Sequence, residues 1–250
     1  MSKLKADYSI FTEDVYMSLF LEDKPFLFRN FVKNPECLAT WDDIEFCCNN
    51  GHNPGYTMHP ERGKIIADEN EWAFHRETKD RFDALHNEGG VCLLNYGEYN
   101  EETNELMGFF EDKFNVNAKA FIQAHLVGMR GYGLHCDARE TMGIFILQIE
   151  GNSEWKVYNN RLSSLFDTDH PLHRKFVSDY ENEKLKDLFD KKMNLILEDV
   201  LRPGDLLYIP HRMYHHAVSK SRRISLSIPC FIRGPNAKPN IDRRYYRLSL

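Results

Sequence analysis

The first chemistry in this chain comes from two residues one position apart, His135 and Asp137, in the run Gly131-Tyr-Gly-Leu-His-Cys-Asp137. In an extended strand alternate side chains leave on the same face, so this spacing aims an imidazole and a carboxylate at one point. A third ligand from a distant strand would complete a two-histidine, one-carboxylate face. That face holds Fe(II) and leaves coordination positions open for a co-substrate and oxygen. The candidate third ligand is His215, in Tyr208-Ile-Pro-His-Arg-Met-Tyr-His215. The neighbouring His216 has the opposite parity and takes the ligand position only if the strand register slips by one. The chain has 11 histidines. A His-x-Asp spacing is expected roughly once by chance in such a chain. Context therefore carries the weight: a Gly-rich lead-in, a strongly apolar strand after it, and a Pro203-Gly-Asp205 turn before the second histidine.

These residues need a β scaffold, and from Ala118 onward the chain supplies one. Candidate strands are 118–127, 134–137, 144–149, 154–158, 195–200, 206–209, 215–218 and 223–231, with Gly, Pro, Asp or Asn between most of them. A helical insert is predicted over 179–190. Eight short strands with one insert predict a mainly β fold, a double-stranded β-helix of the jelly-roll or cupin kind. Ahead of it lies an α/β elaboration. A helix is predicted over 12–22 with Thr12 as N-cap, and a strand over 26–29. A second helix starts at Thr40, whose Asp43 stands three residues on, and stops at Gly51. A turn-rich loop at 50–63 could cover a site. A weak strand at 64–67, a helix at 77–88, a short strand at 91–95 and an amphipathic helix over 101–115 complete the elaboration. The expected organisation is a single domain over 1–250: elaboration 1–117, jelly-roll core 118–231, tail 232–250.

Composition narrows the functional classes. The 250 residues are 42% hydrophobic and 13% aromatic, enough for a sizeable core. The formal net charge of -6 argues against general nucleic-acid affinity, because there is no basic excess to neutralise phosphates. No apolar run approaches the length that spans a bilayer, and the N-terminus lacks the apolar core of a signal peptide. The six cysteines, Cys37, Cys47, Cys48, Cys92, Cys136 and Cys230, show no CxxC spacing and read as free thiols in a reducing cytoplasm. Cys136 has the parity that points it away from the metal and reads as a small buried hydrophobe.

Three blocks together carry a family resemblance: Gly131–Asp137; Ile144-Phe-Ile-Leu-Gln-Ile-Glu-Gly-Asn-Ser-Glu-Trp-Lys-Val-Tyr158; and Leu201-Arg-Pro-Gly-Asp-Leu-Leu-Tyr-Ile-Pro210 with His215 following. They resemble the JmjC-type cupin oxygenases, in the bacterial branch similar to the ribosomal oxygenases. The 24–29 segment, the 91–95 strand and the 101–114 helix are similar to that branch too. The resemblance runs over about residues 24–231. It implies Fe(II) held by His135, Asp137 and His215, and 2-oxoglutarate as co-substrate, decarboxylated to succinate while a substrate C–H bond is hydroxylated. The implied substrate is an amino-acid side chain in a peptide, a protein or an amino-acid-derived small molecule.

The chain departs from the family at the cation that pairs with the distal carboxylate of 2-oxoglutarate: the matching position is Ser153. Lys156 is near but has the wrong parity. A carboxylate inside a barrel still needs a cation or several donors. Arg223 is the candidate replacement, with Ser225 and Ser227 on the same strand face, unless Arg222 and Arg223 simply bound an exposed turn. Gln123 and His125 share a face of the preceding strand and could line the same pocket, although a satisfied core histidine is an equal reading of His125. His211 lies beside the ligand strand. Arg139 and Glu140 sit at the expected mouth, where they could grip a polar substrate. The tail, with Lys238, Arg243, Arg244, Arg247, Tyr245 and Tyr246, could touch an acidic partner or RNA, or pack on its own domain or a symmetry mate in a homodimer. Two other functions stay open: a metal-dependent cupin enzyme that does not use 2-oxoglutarate, and a non-catalytic cupin binding module.

Overall fold

The structure, a computed structural model, describes residues 3–20, 22–50, 55–57, 90–93, 96–125, 134–137, 141–162, 171–172, 175, 191–219 and 221–233. The predicted strand 64–67, the helices 77–88 and 179–190, Arg139, Glu140 and the tail beyond 233 lie outside the described residues.

The N-terminal elements form where the sequence places their caps. Helix α1 spans Glu13–Phe20, and the Thr12 hydroxyl accepts from the Val15 amide at 3.3 Å. Strand β1 is Phe26–Phe28. Helix α2 spans Trp41–Asn50 and begins with a reciprocal cap: the Thr40 amide donates to the Asp43 carboxylate at 2.7 Å and the Asp43 amide to the Thr40 hydroxyl at 3.2 Å. Short strands β2 (Gly55–Thr57) and β3 (Gly90–Leu93) follow. Part of the predicted 50–63 loop is therefore strand, held by antiparallel pairing of β2 with β3. Helix α3, Glu101–Phe114, is capped by Asn100 and ends on Asn115 in the left-handed conformation, with φ 52°.

The β core begins with β4 (Val116–Ala118) and β5 (Phe121–His125). One continuous strand was predicted here. It breaks at Lys119–Ala120, where the Lys119 amide donates to the Pro229 carbonyl and the Ala120 carbonyl accepts from the Tyr96 amide. The remaining strands are β6 (Thr141–Glu150), β7 (Ser153–Arg161), β8 (Leu195–Leu201), β9 (Leu206–Pro210), β10 (Met213–Ser219) and β11 (Arg223–Ile232). Strands β6, β7 and β10 run several residues longer than their predicted spans, and β8, β9 and β11 run slightly longer.

Two antiparallel sheets result. The larger orders its strands β1-β9-β6-β11-β5-β3-β2, with β4 also on β11; the smaller is β10-β7-β8. Strands β6, β9 and β11 are buried on both faces. Ile144 and Ile146 point between the sheets with Leu207, Ile209, Val157 and Met213. Phe145 and Leu147 point outward under α3 and the N-terminal segment, with Phe11, Phe110, Phe114 and Ile228. Burial on both sides makes most of β6 and β9 continuous apolar runs, whereas β11 alternates, with Arg223, Ser225 and Ser227 buried on one face and Ile224, Leu226 and Ile228 on the other. Among the described residues, no helix is long and apolar enough to cross a membrane.

Candidate active site

The segment 134–137 does not form the predicted strand. It touches β10 through a single antiparallel bridge in which the backbones of His135 and His215 exchange hydrogen bonds of 3.0 and 2.8 Å. That bridge is enough to aim both imidazoles inward, with ring centroids 4.3 Å apart. Asp137, two residues on, joins them: ligand atoms of His135, Asp137 and His215 all lie within 4.8 Å of one another. His215 Nε2 is 3.9 Å from an Asp137 oxygen.

The second nitrogen of His215 fixes which one is offered. Its Nδ1 lies 2.9 Å from the Met213 carbonyl. A carbonyl only accepts, so Nδ1 carries the proton and Nε2 presents its lone pair to the cluster. Burial pushes the His215 imidazole down to about 4, which keeps it neutral. Burial also raises the Asp137 carboxyl, against the pull of His135 and His211. A buried carboxylate facing the neutral His215 imidazole calls for a cation, and the donor set of two nitrogens and one oxygen suits a divalent transition metal.

His216 faces the other way, its Nε2 3.5 Å from the Tyr158 hydroxyl. His211 turns its Nδ1 to the Thr141 carbonyl. Cys136 packs with Leu134, Tyr158 and Tyr214, and burial and Asp137 push its thiol up to about 12. It also borders the cavity described next, which strand parity alone did not indicate.

A cavity of about 220 Å³ runs from the triad between the sheets. Gln123, Arg223 and Ser227 line it, as does Trp155. Arg223 is not at an exposed turn: it is fully buried, while Arg222 is exposed and lies over the Trp41 ring. None of the three Arg223 guanidinium nitrogens has a hydrogen-bond partner among the described residues. The hydroxyls of Ser219, Ser225 and Ser227 are in the same condition. Burial pushes Arg223 down to about 10. A buried cation with this many unanswered donors fits an anion rather than an apolar group.

His125 stands opposite Arg223 in the β5–β11 register. It is fully buried and neither ring nitrogen has a partner among the described residues, so the satisfied-core reading fails. Burial, reinforced by Arg223, holds it well below its ordinary range and therefore neutral.

Ser153 is also fully buried, and its hydroxyl is engaged with Gln148 and Trp155. Lys156 points away and pairs with Glu198 at 3.1 Å. Sequence reasoning named neither Trp155 nor Phe121 as lining the site. The signal existed: Phe121 shares the face of Gln123, and Trp155 shares the face of Ser153.

Residues 96–238 match a family model described as the JmjC domain. A Dictyostelium discoideum protein named bifunctional lysine-specific demethylase and histidyl-hydroxylase NO66 is 31% identical over 138 residues, 55% of this chain and 24% of that protein. Its Culex quinquefasciatus counterpart is 26% identical, covering 94% of this chain and 34% of its own length. The chain thus spans about a quarter to a third of these relatives. Among solved structures, the Escherichia coli ribosomal oxygenase YcfD superposes with a TM-score of 0.61 at 16% identity, over 94% of this chain and 54% of that one. A further YcfD structure, in complex with cobalt and 2-oxoglutarate, gives 0.58 at 17% identity over the same shares.

Proposed function

The chain belongs to the JmjC domain family, and from that premise we propose that it is an Fe(II)- and 2-oxoglutarate-dependent oxygenase that hydroxylates an amino-acid side chain. One observation carries this reading. The same cavity holds a two-histidine, one-carboxylate face at one end and, along its wall, a buried guanidinium whose donors are unanswered.

In this reading His135, Asp137 and His215 hold Fe(II), His215 through Nε2 because Nδ1 is committed to Met213. Arg223 and Ser227 receive the distal carboxylate of 2-oxoglutarate, with Gln123 alongside. When bound, iron and 2-oxoglutarate together supply the oxidising power, consuming O2 as the oxo acid becomes succinate and CO2 and the substrate C–H becomes C–OH. The polypeptide holds the ligands, orients both substrates and keeps bulk water out. His215, 1% exposed, and the apolar walls Ile144, Ile146 and Trp155 do the last of these.

Relatives named histidyl-hydroxylase and ribosomal oxygenase support a protein or peptide substrate over a free amino acid. Four buried free thiols, Cys37, Cys47, Cys136 and Cys230, support a reducing compartment, the cytoplasm. The pairing of β1 with β9 and of β3 with β5 supports a single domain in which the 1–117 elaboration completes the 118–231 core.

The test is succinate release from 2-oxoglutarate with added Fe(II), run with wild type and with His135→Ala. Wild type is expected to turn over, by uncoupled decarboxylation if no substrate is present, and the variant to lose turnover and stoichiometric metal binding. A metal-loaded wild type that neither binds 2-oxoglutarate nor releases succinate sinks the assignment.

A further inference from the structure

The hydroxyl of Ser153 sits in a hydrogen-bond chain with only one direction. Trp155 Nε1 lies 2.8 Å from Ser153 Oγ. An indole nitrogen can only donate, so Ser153 accepts there and gives its own proton to Gln148 Oε1 at 2.7 Å. The Gln148 amide nitrogen then donates to the Glu150 carbonyl at 2.7 Å and to the Ile224 carbonyl at 3.3 Å. The last two contacts depend on an irregularity in the sheet: Ile224 pairs with Glu150 but Ser225 with Gln148, which leaves Ile149 as the extra residue of a bulge. Gln148 and Ser153 are fully buried and Trp155 is 3% exposed, so water does not compete for these bonds.

The chain ends on a ring that touches both ends of the site. The Trp155 ring lies 6.1 Å from the His215 ring at an interplanar angle of 29°. The Arg223 guanidinium carbon lies 6.0 Å from the Trp155 ring centroid. One rigid indole thus lies within about 6 Å of both a residue of the metal-holding face and the buried cation. Its tilt is set by the acceptor at Ser153.

We infer that Ser153 is a positioning residue. Acting through Trp155, it sets the separation between the His135–Asp137–His215 face and Arg223, and so selects a 2-oxo diacid of the length of 2-oxoglutarate over its shorter and longer homologues. The inference rests on the oxygenase reading above. A cation at position 153 would have no lone pair for the indole N–H, so the serine and the placement of the cation on β11 belong to one arrangement.

The experiment uses the full chain loaded with Co(II) and titrated calorimetrically with oxaloacetate, 2-oxoglutarate and 2-oxoadipate. In wild type 2-oxoglutarate is expected to bind about 10-fold or more tightly than either homologue. In Ser153→Ala that ratio falls toward one, the Co(II) affinity stays at the wild-type value, and Ser153→Thr, which keeps the hydroxyl, restores the ratio. If Ser153→Ala does not fold, Ser153→Cys, similar in volume and a poor acceptor, gives the same reading. A wild type that binds none of the three acids overturns the oxygenase reading itself. Selective wild-type binding with an equally selective Ser153→Ala overturns only the role given to Ser153.

Discussion

Arg223 shows what a single side chain discloses about function. A guanidinium removed from water without an acid beside it destabilises the fold, and a sequence tolerates it only where something anionic answers it. Its neighbour in the register, His125, is neutral and cannot supply that charge. Arg223→Met, which keeps most of the volume and removes the charge, is therefore expected to make the ligand-free protein more stable by at least the order of 1 kcal/mol. The same variant should lose the stabilisation that 2-oxoglutarate confers on metal-loaded wild type. Thermal melts with and without the co-substrate measure both effects. A variant that melts lower without ligand, and still responds to it, would show that Arg223 is an ordinary structural cation. The alternation Arg223, Ser225, Ser227 was legible in the sequence. Which face of β11 turns inward was not, because the strand is apolar on one side and semi-polar on the other, and both sides are buried.

At the level of elements, β6 and β11 carry the site on one face and the main core on the other. Phe145 illustrates the outer face: it is fully buried and stacks on Phe110 at 4.3 Å and Phe114 at 5.5 Å, with Tyr208 at 4.9 Å. Phe145→Ala should cost about 3–5 kcal/mol, read from denaturant unfolding. Loss of less than about 1 kcal/mol would mean that α3 collapses onto the gap. The turn from β6 to β7 has a stricter requirement. Gly151 has φ +68°, and a Cβ there would lie 1.9 Å from the Arg222 carbonyl oxygen. A glycine between two apolar runs reads as a turn in sequence, but the close approach of the backbone just ahead of β11 is visible only in the fold.

For the whole molecule, the N-terminal segment is part of the barrel sheet and is locked to it by Arg29. Its guanidinium reaches Asp205 at 2.7 Å, Asp199 at 2.6 Å and the Val200 carbonyl at 2.8 Å. Asp205 in turn accepts from the Asn30 and Arg202 amides. One cation thus joins β1, β8 and the Pro203-Gly-Asp205 turn, and so the two sheets. Burial alone would raise the Asp199 carboxyl, but the hydrogen bond and charge of Arg29 hold it below the ordinary carboxylate range. A carboxyl lowered in the folded state adds stability above its unfolded pKa and loses it as pH falls through the folded one. Arg29→Met should therefore be destabilised near neutral pH, with the gap to wild type narrowing as pH falls through and below the ordinary carboxylate range. Melts across that range test it, and a gap independent of pH would assign the loss to packing and the uncharged contacts alone. Asp199 is partly exposed, so the effect is also expected to shrink in high salt.

The sequence alone picked out His135, Asp137 and His215 as a candidate triad, the β class of the core, the capped helices and the serine at position 153. Each of these is local: parity, cap spacing and apolar runs are properties of a few adjacent residues. Tertiary structure decided what depends on register between distant strands. It reduced 134–137 from a strand to a single bridge, split the strand begun at Ala118, and buried Arg223 instead of leaving it at a turn. It also placed Trp155 near both His215 and Arg223, with Ser153 as the acceptor for its indole N–H. No local pattern encodes these outcomes, because each is set by which backbone hydrogen bonds form across the sheets.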